Sequence, residues 1–400
     1  MTGRAVAPDA SGFEQLLAAK EIMVFCGSGG VGKTSIAAAT ALGAVTRLGG
    51  KVLVLTIDPA RRLASALGLE GIGNVERRVP DEALRAAGVT PRGELYAAML
   101  DTKASWDDLV TRHAPDRATA QRILENRLYH NITARFVQSH DYIAMERLFE
   151  LHATGTYDLI VIDTPPTRNA LDFLEAPARM AEFFGGRLLR WLTMPYRMGS
   201  GRGARVVNVA SRPFYQMADR ILGSQFLQDI AEFFLNFQSM YDGFVARAES
   251  VERLLHDRRT TFSVVTTLEG APLREAEFFC SELRARKFHL GALVLNKTLP
   301  AYLRSSEGSR SAAAMVTNAD AVAAQLTDLG GELADPTHDA RVLRTIGDSF
   351  ENFSVVAKRE AELRGELEGG SDIVLDVPGL EVDIHDIGGL VAIGDYLFAG

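Results

Sequence analysis

The sequence predicts an α/β protein with a mostly parallel, twisted sheet flanked by helices. Short apolar runs rich in β-branched residues alternate with longer segments of helical periodicity, which is the pattern of βαβ units. Two of these runs end in an aspartate, so carboxylates are expected at the carboxyl edge of the sheet, where ligands bind. The predicted strands span residues 21–26, 51–57, 94–100, 158–163, 262–267, 291–296 and 372–377.

The first predicted strand leads into a glycine-rich loop. Residues 27–34 read GSGGVGKT, which fits the phosphate-loop pattern G-x-x-x-x-G-K-[ST] between a strand and a helix. Glycines let backbone N–H groups approach phosphates, and the helix N-terminus adds the positive end of its dipole. We therefore predict a P-loop NTPase in which Lys33 reaches the β- and γ-phosphates and the Thr34 hydroxyl binds Mg²⁺.

Two later strands end in an aspartate. The run from Lys51 to Ile57 stops at Asp58, and the run from Asp158 to Ile162 stops at Asp163. An aspartate that ends an apolar strand after a phosphate loop is the usual second element of a Mg²⁺ site, and Asp163 is the better candidate. The alternative is that each aspartate only caps the turn or helix that follows it.

Three segments together give a specific resemblance: the pattern G-x-G-G-V-G-K-T, the run Asp58-Pro59-Ala60, and the run Asp163-Thr164-Pro165-Pro166-Thr167. They resemble the ArsA family of deviant-Walker-A ATPases, which includes arsenite-pump motors and ATPases that deliver tail-anchored membrane proteins. The chain looks most similar to the bacterial ArsA-like branch related to the tail-anchored targeting ATPases. The resemblance covers most of the chain from about residue 20 onward, including segments 95–101, 141–146 and 293–297.

The resemblance implies a role for individual residues. Asp58 would be catalytic, orienting or deprotonating the attacking water, and Lys33 would act on the phosphates. Thr34 would bind Mg²⁺, and Asp163 would support the ion through water. The implied ATP-binding residues are Gly29, Gly30, Val31, Gly32, Lys33, Thr34, Ser35, Asn296 and Pro378, the last two at the adenine. The implied switches are Asp58, Pro59 and Ala60, and then Asp163, Thr164, Pro165, Pro166 and Thr167.

The choice of base can be argued from one short run. Guanine-specific loops read Asn-Lys-x-Asp, whereas residues 296–299 read NKTL and lack the carboxylate. We therefore expect ATP rather than GTP. The alternative for Asn296 is that it only terminates a strand.

The loop departs from the family pattern at Ser28. The family group carries a lysine there, which crosses a dimer interface to the partner's phosphates, and a hydroxyl supplies no positive charge. Three interpretations stay open. The chain pairs with a paralogue that keeps the lysine, an arginine near the switches (Arg61, Arg62 or Arg168) substitutes, or hydrolysis is slow. The expected partner is thus either a second copy, giving a homodimer, or a paralogous ATPase, giving a heterodimer. Because such a cation is worth about 10³-fold or more in rate, we expect a weak ATPase when the chain acts alone.

Composition favours a soluble cytoplasmic enzyme. The chain has 400 residues, of which 47% are hydrophobic and 24% are charged, and its net charge of −8 argues against a nucleic-acid partner. No apolar run is long enough to span a membrane. Cys26 and Cys280 are the only cysteines. We therefore expect neither arsenite activation, which needs several converging thiols, nor the bridging zinc that a C-x-x-C pair would hold.

Two helical stretches interrupt the strand pattern. We predict a discontinuous ATPase core, residues 1–101, 155–170 and 259–400, and a helical subdomain, residues 102–154 and 171–258. Residues 173–244 hold nine of the chain's 20 Phe and five of its 10 Met. The apolar residues that recur there at helical spacing include Phe226, Ile230, Phe233, Phe234, Phe237, Met240 and Phe244.

The resemblance implies that this apolar stripe forms a groove for a hydrophobic protein client, with transient membrane association. The alternative is that the stripe is buried in the chain's own core or in a dimer interface. Nucleotide-dependent handling of hydrophobic proteins is thus the leading functional hypothesis. The alternatives are a regulatory subunit that depends on a lysine-bearing paralogue, a partition or membrane-positioning ATPase, and an arsenite-transport motor, which the cysteine count disfavours.

Overall fold

An eight-stranded sheet forms the centre of the molecule in the computed structural model. The structure describes residues 10–57, 62–69, 71–130, 137–165, 179, 224–328, 336–367, 370–380 and 384–399. The strands are β1 (Ile22–Cys26), β2 (Gly50–Thr56), β3 (Arg77–Arg78), β4 (Gly93–Met99), β5 (Leu159–Asp163), β6 (Thr260–Thr266), β7 (Leu290–Thr298) and β8 (Ile373–Pro378).

The strand order is β3-β4-β2-β5-β1-β6-β7-β8. All neighbouring strands are parallel except β3 and β4, which pair antiparallel. The predicted α/β class is confirmed, and the seven predicted strands agree with the observed ones within two residues at each end. The sequence analysis missed β3, because a strand of two exposed arginines carries no apolar pattern.

Helices cover both faces of the sheet. They are α1 (Gly12–Ala18), α2 (Lys33–Arg47), α3 (Arg62–Ala66), α4 (Asp81–Ala86), α5 (Thr102–His113), α6 (Arg117–Glu125), α7 (Val137–Ala153), α8 (Ser224–Leu255), α9 (Gly270–Ala285), α10 (Ser306–Thr317), α11 (Ala319–Asp328), α12 (Pro336–Glu366) and α13 (Ile387–Phe398). A short 3₁₀ turn spans Ala301–Arg304.

Alternate residues of β1 face opposite sides of the sheet and belong to two different apolar clusters. Met23 and Phe25 join an apolar cluster with α1, α2 and α13, whereas Ile22, Val24 and Cys26 join a second cluster with α5 to α9. All five residues of β1 are buried, as expected for a parallel strand covered on both faces. The middle of the sheet is therefore buried on both faces, and its carboxyl edge carries the glycine-rich loop after β1 and Asp163 at the end of β5.

The helices α5 to α8 lie within the two stretches that the sequence marks as helical. Their apolar side chains belong to the same cluster as one face of the sheet, and Trp106 and Tyr142 are among its fully buried members. The division into an ATPase core and a helical subdomain stays a prediction. Among the described helices, none is long and apolar enough to cross a membrane.

Candidate functional site

The glycine-rich loop joins the end of β1 to the start of α2, and two of its glycines are required by their surroundings. Gly27 has a φ of 149°, and a Cβ atom there would lie 2.1 Å from the carbonyl oxygen of Val265 on β6. Gly32 has a φ of 93°, and its Cβ would lie 2.3 Å from Nδ2 of Asn296. The loop therefore lies against the ends of β6 and β7. A side chain at Gly27 would meet the backbone of β6, and the positive φ favours glycine at both positions.

Lys33 is the first residue of α2 and is only 6% exposed. Its Nζ donates a hydrogen bond of 2.7 Å to the carbonyl oxygen of Ser28, across the loop. A lysine ammonium is thus held beside the loop backbone at a helix N-terminus, where the dipole also favours an anion. The predicted role of Lys33 at the phosphates stays a prediction.

The predicted magnesium residues meet at the end of β5. The Thr34 hydroxyl donates to Oδ2 of Asp163 at 2.6 Å, and the Thr56 hydroxyl donates to the same oxygen at 2.9 Å. Asp163 is fully buried. A carboxylate and a hydroxyl are hard oxygen donors of the kind that Mg²⁺ prefers, so the residues present fit this ion.

Thr56 is a site residue that the sequence analysis missed. It is the last residue of β2, which pairs with β5 so that Thr56 lies opposite Asp163. The available signal was a single hydroxyl in an otherwise apolar strand end. That signal is weak, because buried threonines are common in strands and the pairing partner is distant in the sequence.

The second predicted switch begins with a residue tied to β1. The Thr164 hydroxyl donates to the carbonyl oxygen of Phe25 at 2.8 Å, and Thr164 is buried. The described part of this switch ends at Pro165. Residues Asp58, Pro59, Ala60, Pro166 and Thr167 lie outside the described residues, as do Arg61, Arg168 and the side chain of Arg62.

A cavity of about 800 Å³ extends from the phosphate loop along the carboxyl edge of the sheet; we call it the loop cavity. Volumes of this size are typical of small-molecule and cofactor sites. Four of the predicted phosphate residues line it, whereas Gly29, Val31 and Lys33 do not. The two predicted adenine residues, Asn296 and Pro378, line it as well. Its lining residues are Gly30, Gly32, Thr34, Ser35, Ser65, Ala66, Asn296, Lys297, Val377, Pro378, Gly379, Leu380, Ile384, His385 and Ile393.

The remaining loop residues contribute in different ways. Gly29 is exposed at the loop surface, while the Val31 side chain is 1% exposed and packs into the core, so that only its backbone can face a ligand. The Ser28 hydroxyl oxygen is buried and has no hydrogen-bond partner among the described residues. It brings no charge to the loop, as the sequence predicts.

Residues 20–318 match the family ArsA_ATPase, described as anion-transporting ATPase. The chain belongs to the ArsA ATPase family. The resemblance predicted from the motifs is confirmed, and the parallel sheet with its phosphate loop is the fold expected of this family.

Individual ArsA ATPase relatives differ in how much of their length is matched. The chain is 25% identical over 287 residues to a Prosthecochloris vibrioformis protein named "Putative arsenical pump-driving ATPase", covering 70% of this chain and 62% of that protein. The chain thus spans less than two thirds of that relative. It is 23% identical over 396 residues to ATPase BagA of Mycobacterium tuberculosis, covering 96% and 95% of the two chains.

The two thiols of this ArsA-family chain are both buried. Burial raises the pKa of Cys26 to about 12, although the Thr164 hydroxyl opposes the shift, and burial raises the pKa of Cys280 to about 11. Both are therefore protonated at neutral pH, whereas soft metalloids and metals bind thiolates. That these cysteines hold neither arsenite nor zinc stays a prediction.

The apolar stripe of α8 lies partly in the interior. Phe233, Phe237 and Met240 are at most 3% exposed, and the first two rings have centroids 5.3 Å apart. Ile230 packs partly buried against the same cluster. The side chains of Phe226, Phe234 and Phe244 lie outside the described residues. In this conformation Phe233, Phe237 and Met240 are part of the hydrophobic core. The groove for a hydrophobic client therefore stays a prediction.

Proposed function

We propose that this ArsA-family ATPase binds ATP with Mg²⁺ in the loop cavity and hydrolyses it to ADP and phosphate. One observation carries the proposal. The Thr34 and Asp163 oxygens, 2.6 Å apart, and the Lys33 ammonium lie at the phosphate loop, where a cavity of about 800 Å³ opens toward Asn296 and Pro378. A phosphate-binding end and a base-binding end are thus joined by a space of suitable size.

Each residue has a definable task in this proposal. Lys33 and the loop N–H groups hold the β- and γ-phosphates, and Thr34 and Asp163 hold Mg²⁺. When bound, the ion neutralises charge that develops on the phosphates. The task left to the protein is positioning, which a loop buttressed by β6 and β7 supports. Asp58 would orient or deprotonate the attacking water, as the family resemblance implies.

Local chemistry supports adenine as the base. Position 299, where guanine-specific loops carry a carboxylate, is a leucine, and its backbone N–H donates to Oε2 of Glu360 at 2.9 Å. The leucine side chain offers no acceptor to the guanine amino and imino groups. Asn296 and Pro378 both line the loop cavity.

The rate of hydrolysis is expected to be low in the isolated chain, because Ser28 replaces the cationic residue. We propose that full activity depends on a dimer, either with a second copy or with a lysine-bearing paralogue. Steady-state hydrolysis of MgATP should be compared among wild type, Asp58→Asn, Ser28→Lys and Ser28→Met, the last as a control of similar length without charge.

The outcomes of that experiment are distinct. Slow turnover that vanishes in Asp58→Asn and rises by about 10³-fold in Ser28→Lys, but not in Ser28→Met, would support the proposal. Turnover of wild type at about 1 s⁻¹ or faster, within the usual range for phosphoryl transfer, would contradict slow hydrolysis. Absence of MgATP binding would contradict the proposed function as a whole.

We further propose that nucleotide state controls binding of a hydrophobic protein client, with transient membrane association. The Phe- and Met-rich composition of residues 173–244 supports this, because flexible Met and aromatic side chains suit variable apolar partners. Since Phe233, Phe237 and Met240 are buried, their face of α8 would have to open. A crosslinker at Phe237 should capture a hydrophobic helix in the ATP state only, with a crosslinker at the exposed Phe278 of α9 as control.

Two alternative functions are separated by simple measurements. A regulatory subunit would bind ATP without hydrolysing it until a lysine-bearing paralogue is added. An arsenite-driven motor, suggested by the name of the relative from Prosthecochloris, would show hydrolysis stimulated by arsenite. The buried, protonated thiols of Cys26 and Cys280 disfavour the second alternative.

A further inference from the structure

Two consecutive residues at the end of β7 hold two consecutive carbonyl groups of the phosphate loop. Nδ2 of Asn296 donates to the Val31 carbonyl oxygen at 2.7 Å, and Nζ of Lys297 donates to the Gly30 carbonyl oxygen at 3.0 Å. We propose that this pair, which we call the β7 clamp, sets the orientation of the phosphate loop. Lys297 is then a positioning residue for nucleotide binding, an inference that rests on the proposed function.

Peptide geometry explains what the clamp does. In a planar trans peptide the C=O and the following N–H point in opposite directions, and the described residues contain no cis peptide bond. A carbonyl drawn toward β7 therefore turns the next N–H away from β7. Holding the carbonyls of Gly30 and Val31 fixes the N–H groups of Val31 and Gly32, which are donors of the kind that bind phosphate.

The backbone at Lys297 is shaped for this contact. Asn296 pairs with Val377 and Thr298 pairs with Pro378, so that the register shifts between them and Lys297 is left out of the ladder. Lys297 also has a φ of 59°, a left-handed conformation that lysine rarely adopts. A bulge of this kind re-aims a side chain at the edge of a sheet. Here it directs a lysine onto the phosphate loop.

The clamp also joins the two ends of the loop cavity. The strand that supplies Asn296 and Lys297 pairs with β8, which ends at Pro378, the predicted base-packing residue. A nucleotide that contacts Pro378 would thus lie against the element that fixes the phosphate-binding N–H groups. The positive charge of Lys297 stands at the rim of the cavity, beside a loop that lacks a cation at Ser28.

The chain offers a matched control. Lys287 is also exposed and also has a positive φ, 63°, but it follows α9 and does not line the loop cavity. The variants to compare are Lys297→Met, Lys297→Arg, Lys297→Gly, Lys287→Met and Lys287→Gly. The two glycine variants remove the side chain while relieving the left-handed backbone, so their melting temperatures should not fall.

Two measurements test the clamp, and only one needs nucleotide. In the nucleotide-free protein, hydrogen–deuterium exchange in the peptide that covers residues 27–34 should be faster in Lys297→Met than in wild type. By calorimetric titration, Lys297→Met and Lys297→Gly should bind MgATP about tenfold more weakly, the size expected for one charged hydrogen bond. Lys297→Arg should restore most of the affinity, and the Lys287 variants should match wild type.

Several results would contradict the proposed role of the β7 clamp. Wild-type MgATP affinity in Lys297→Met, unchanged exchange of the loop peptide, or an equal loss of affinity in Lys287→Met would each do so. Faster loop exchange in Lys297→Met together with no MgATP binding by wild type would leave the clamp standing as a structural contact and refute the proposed function instead. The two failures are therefore distinguishable.

Discussion

Replacing Arg247 with methionine should destabilise the fold, because the change leaves a buried carboxylate without its charged partner. Nε of Arg247, on α8, lies 2.6 Å from Oε1 of Glu146, on α7. The Glu146 side chain is 1% exposed and the Arg247 side chain 15%. The Tyr142 hydroxyl donates to the other Glu146 oxygen at 2.9 Å. Methionine keeps most of the length of arginine, so the change removes the charge rather than the packing.

The expected loss can be estimated from burial. Removing one partner of a buried ion pair costs about 3–5 kcal/mol, because the remaining charge stays desolvated. The Tyr142 hydrogen bond survives the change, so a value near the lower end, about 3 kcal/mol, is expected. That is a large share of the ~5–15 kcal/mol that separates folded from unfolded chains.

The loss should depend on pH in a defined direction. Burial raises the pKa of Glu146, and Arg247 is the main influence that lowers it. Without the arginine the folded-state pKa rises further above its unfolded value. A carboxyl with a raised folded pKa favours folding below the unfolded value, near 4.5, and that contribution is lost as the pH rises through the folded pKa. The deficit of Arg247→Met should therefore be smaller at pH 5 than at pH 7.

Urea unfolding at both pH values provides the assay, with Glu146→Gln and the double variant Glu146→Gln/Arg247→Met completing a double-mutant cycle. The double variant should be more stable than Arg247→Met alone, because no unpaired charge remains. A loss below about 1 kcal/mol at pH 7, the range of exposed ion pairs, would refute the reasoning. A double variant no more stable than the single one would refute it as well.

Three further predictions concern the metal residues, the loop glycines and the cysteines. Asp163→Asn keeps an oxygen that can accept from the hydroxyls of Thr34 and Thr56 but removes the negative charge. The gain in ATP affinity that Mg²⁺ provides, measured by titration with and without a chelator, should therefore fall about tenfold. An undiminished gain would argue against a role of Asp163 in holding the metal. Gly32→Ala and Gly30→Ala should each lower the free energy of unfolding, measured in urea, by about 1–2 kcal/mol, because both glycines have a positive φ. The loss should be larger at Gly32, because a Cβ there would lie close to Asn296, whereas a Cβ at Gly30 would meet no atom within 4 Å. Equal losses would contradict the close contact. Cys26 and Cys280 should resist a thiol reagent at pH 8 in the folded protein, because burial raises their pKa to about 12 and about 11, and should both react in urea; rapid labelling of the folded chain would show that they are accessible.

The sequence predicts the parts of the site that are local. A strand, a glycine-rich loop and a helix are consecutive in the chain, so the positions of Lys33 and Thr34 follow from the pattern alone. Asp163 is predictable for a related reason, since parallel strands place their carboxyl ends at one edge of the sheet. These residues contact one another in the structure as their sequence positions imply.

Contacts between strands that are distant in the sequence could not be predicted. Thr56 reaches Asp163 only because β2 pairs with β5, and Lys297 reaches the loop only because a register shift turns it out of the ladder. The amide of Asn296 faces the Val31 carbonyl oxygen, a partner that its predicted role at the adenine did not suggest. On α8, periodicity identifies an apolar face but not what that face packs against, and for Phe233 and Phe237 it is the interior.

The position of β8 and α13 has a consequence for protein synthesis. The phosphate loop is translated before β8 and α13, but the wall of the loop cavity includes Pro378, His385 and Ile393. At usual elongation rates, translation of the intervening segment takes on the order of half a minute. Until then the nascent chain has its phosphate-binding backbone without the far wall of the pocket. Under the proposed function, tight nucleotide retention would thus depend on residues that are translated well after the phosphate loop.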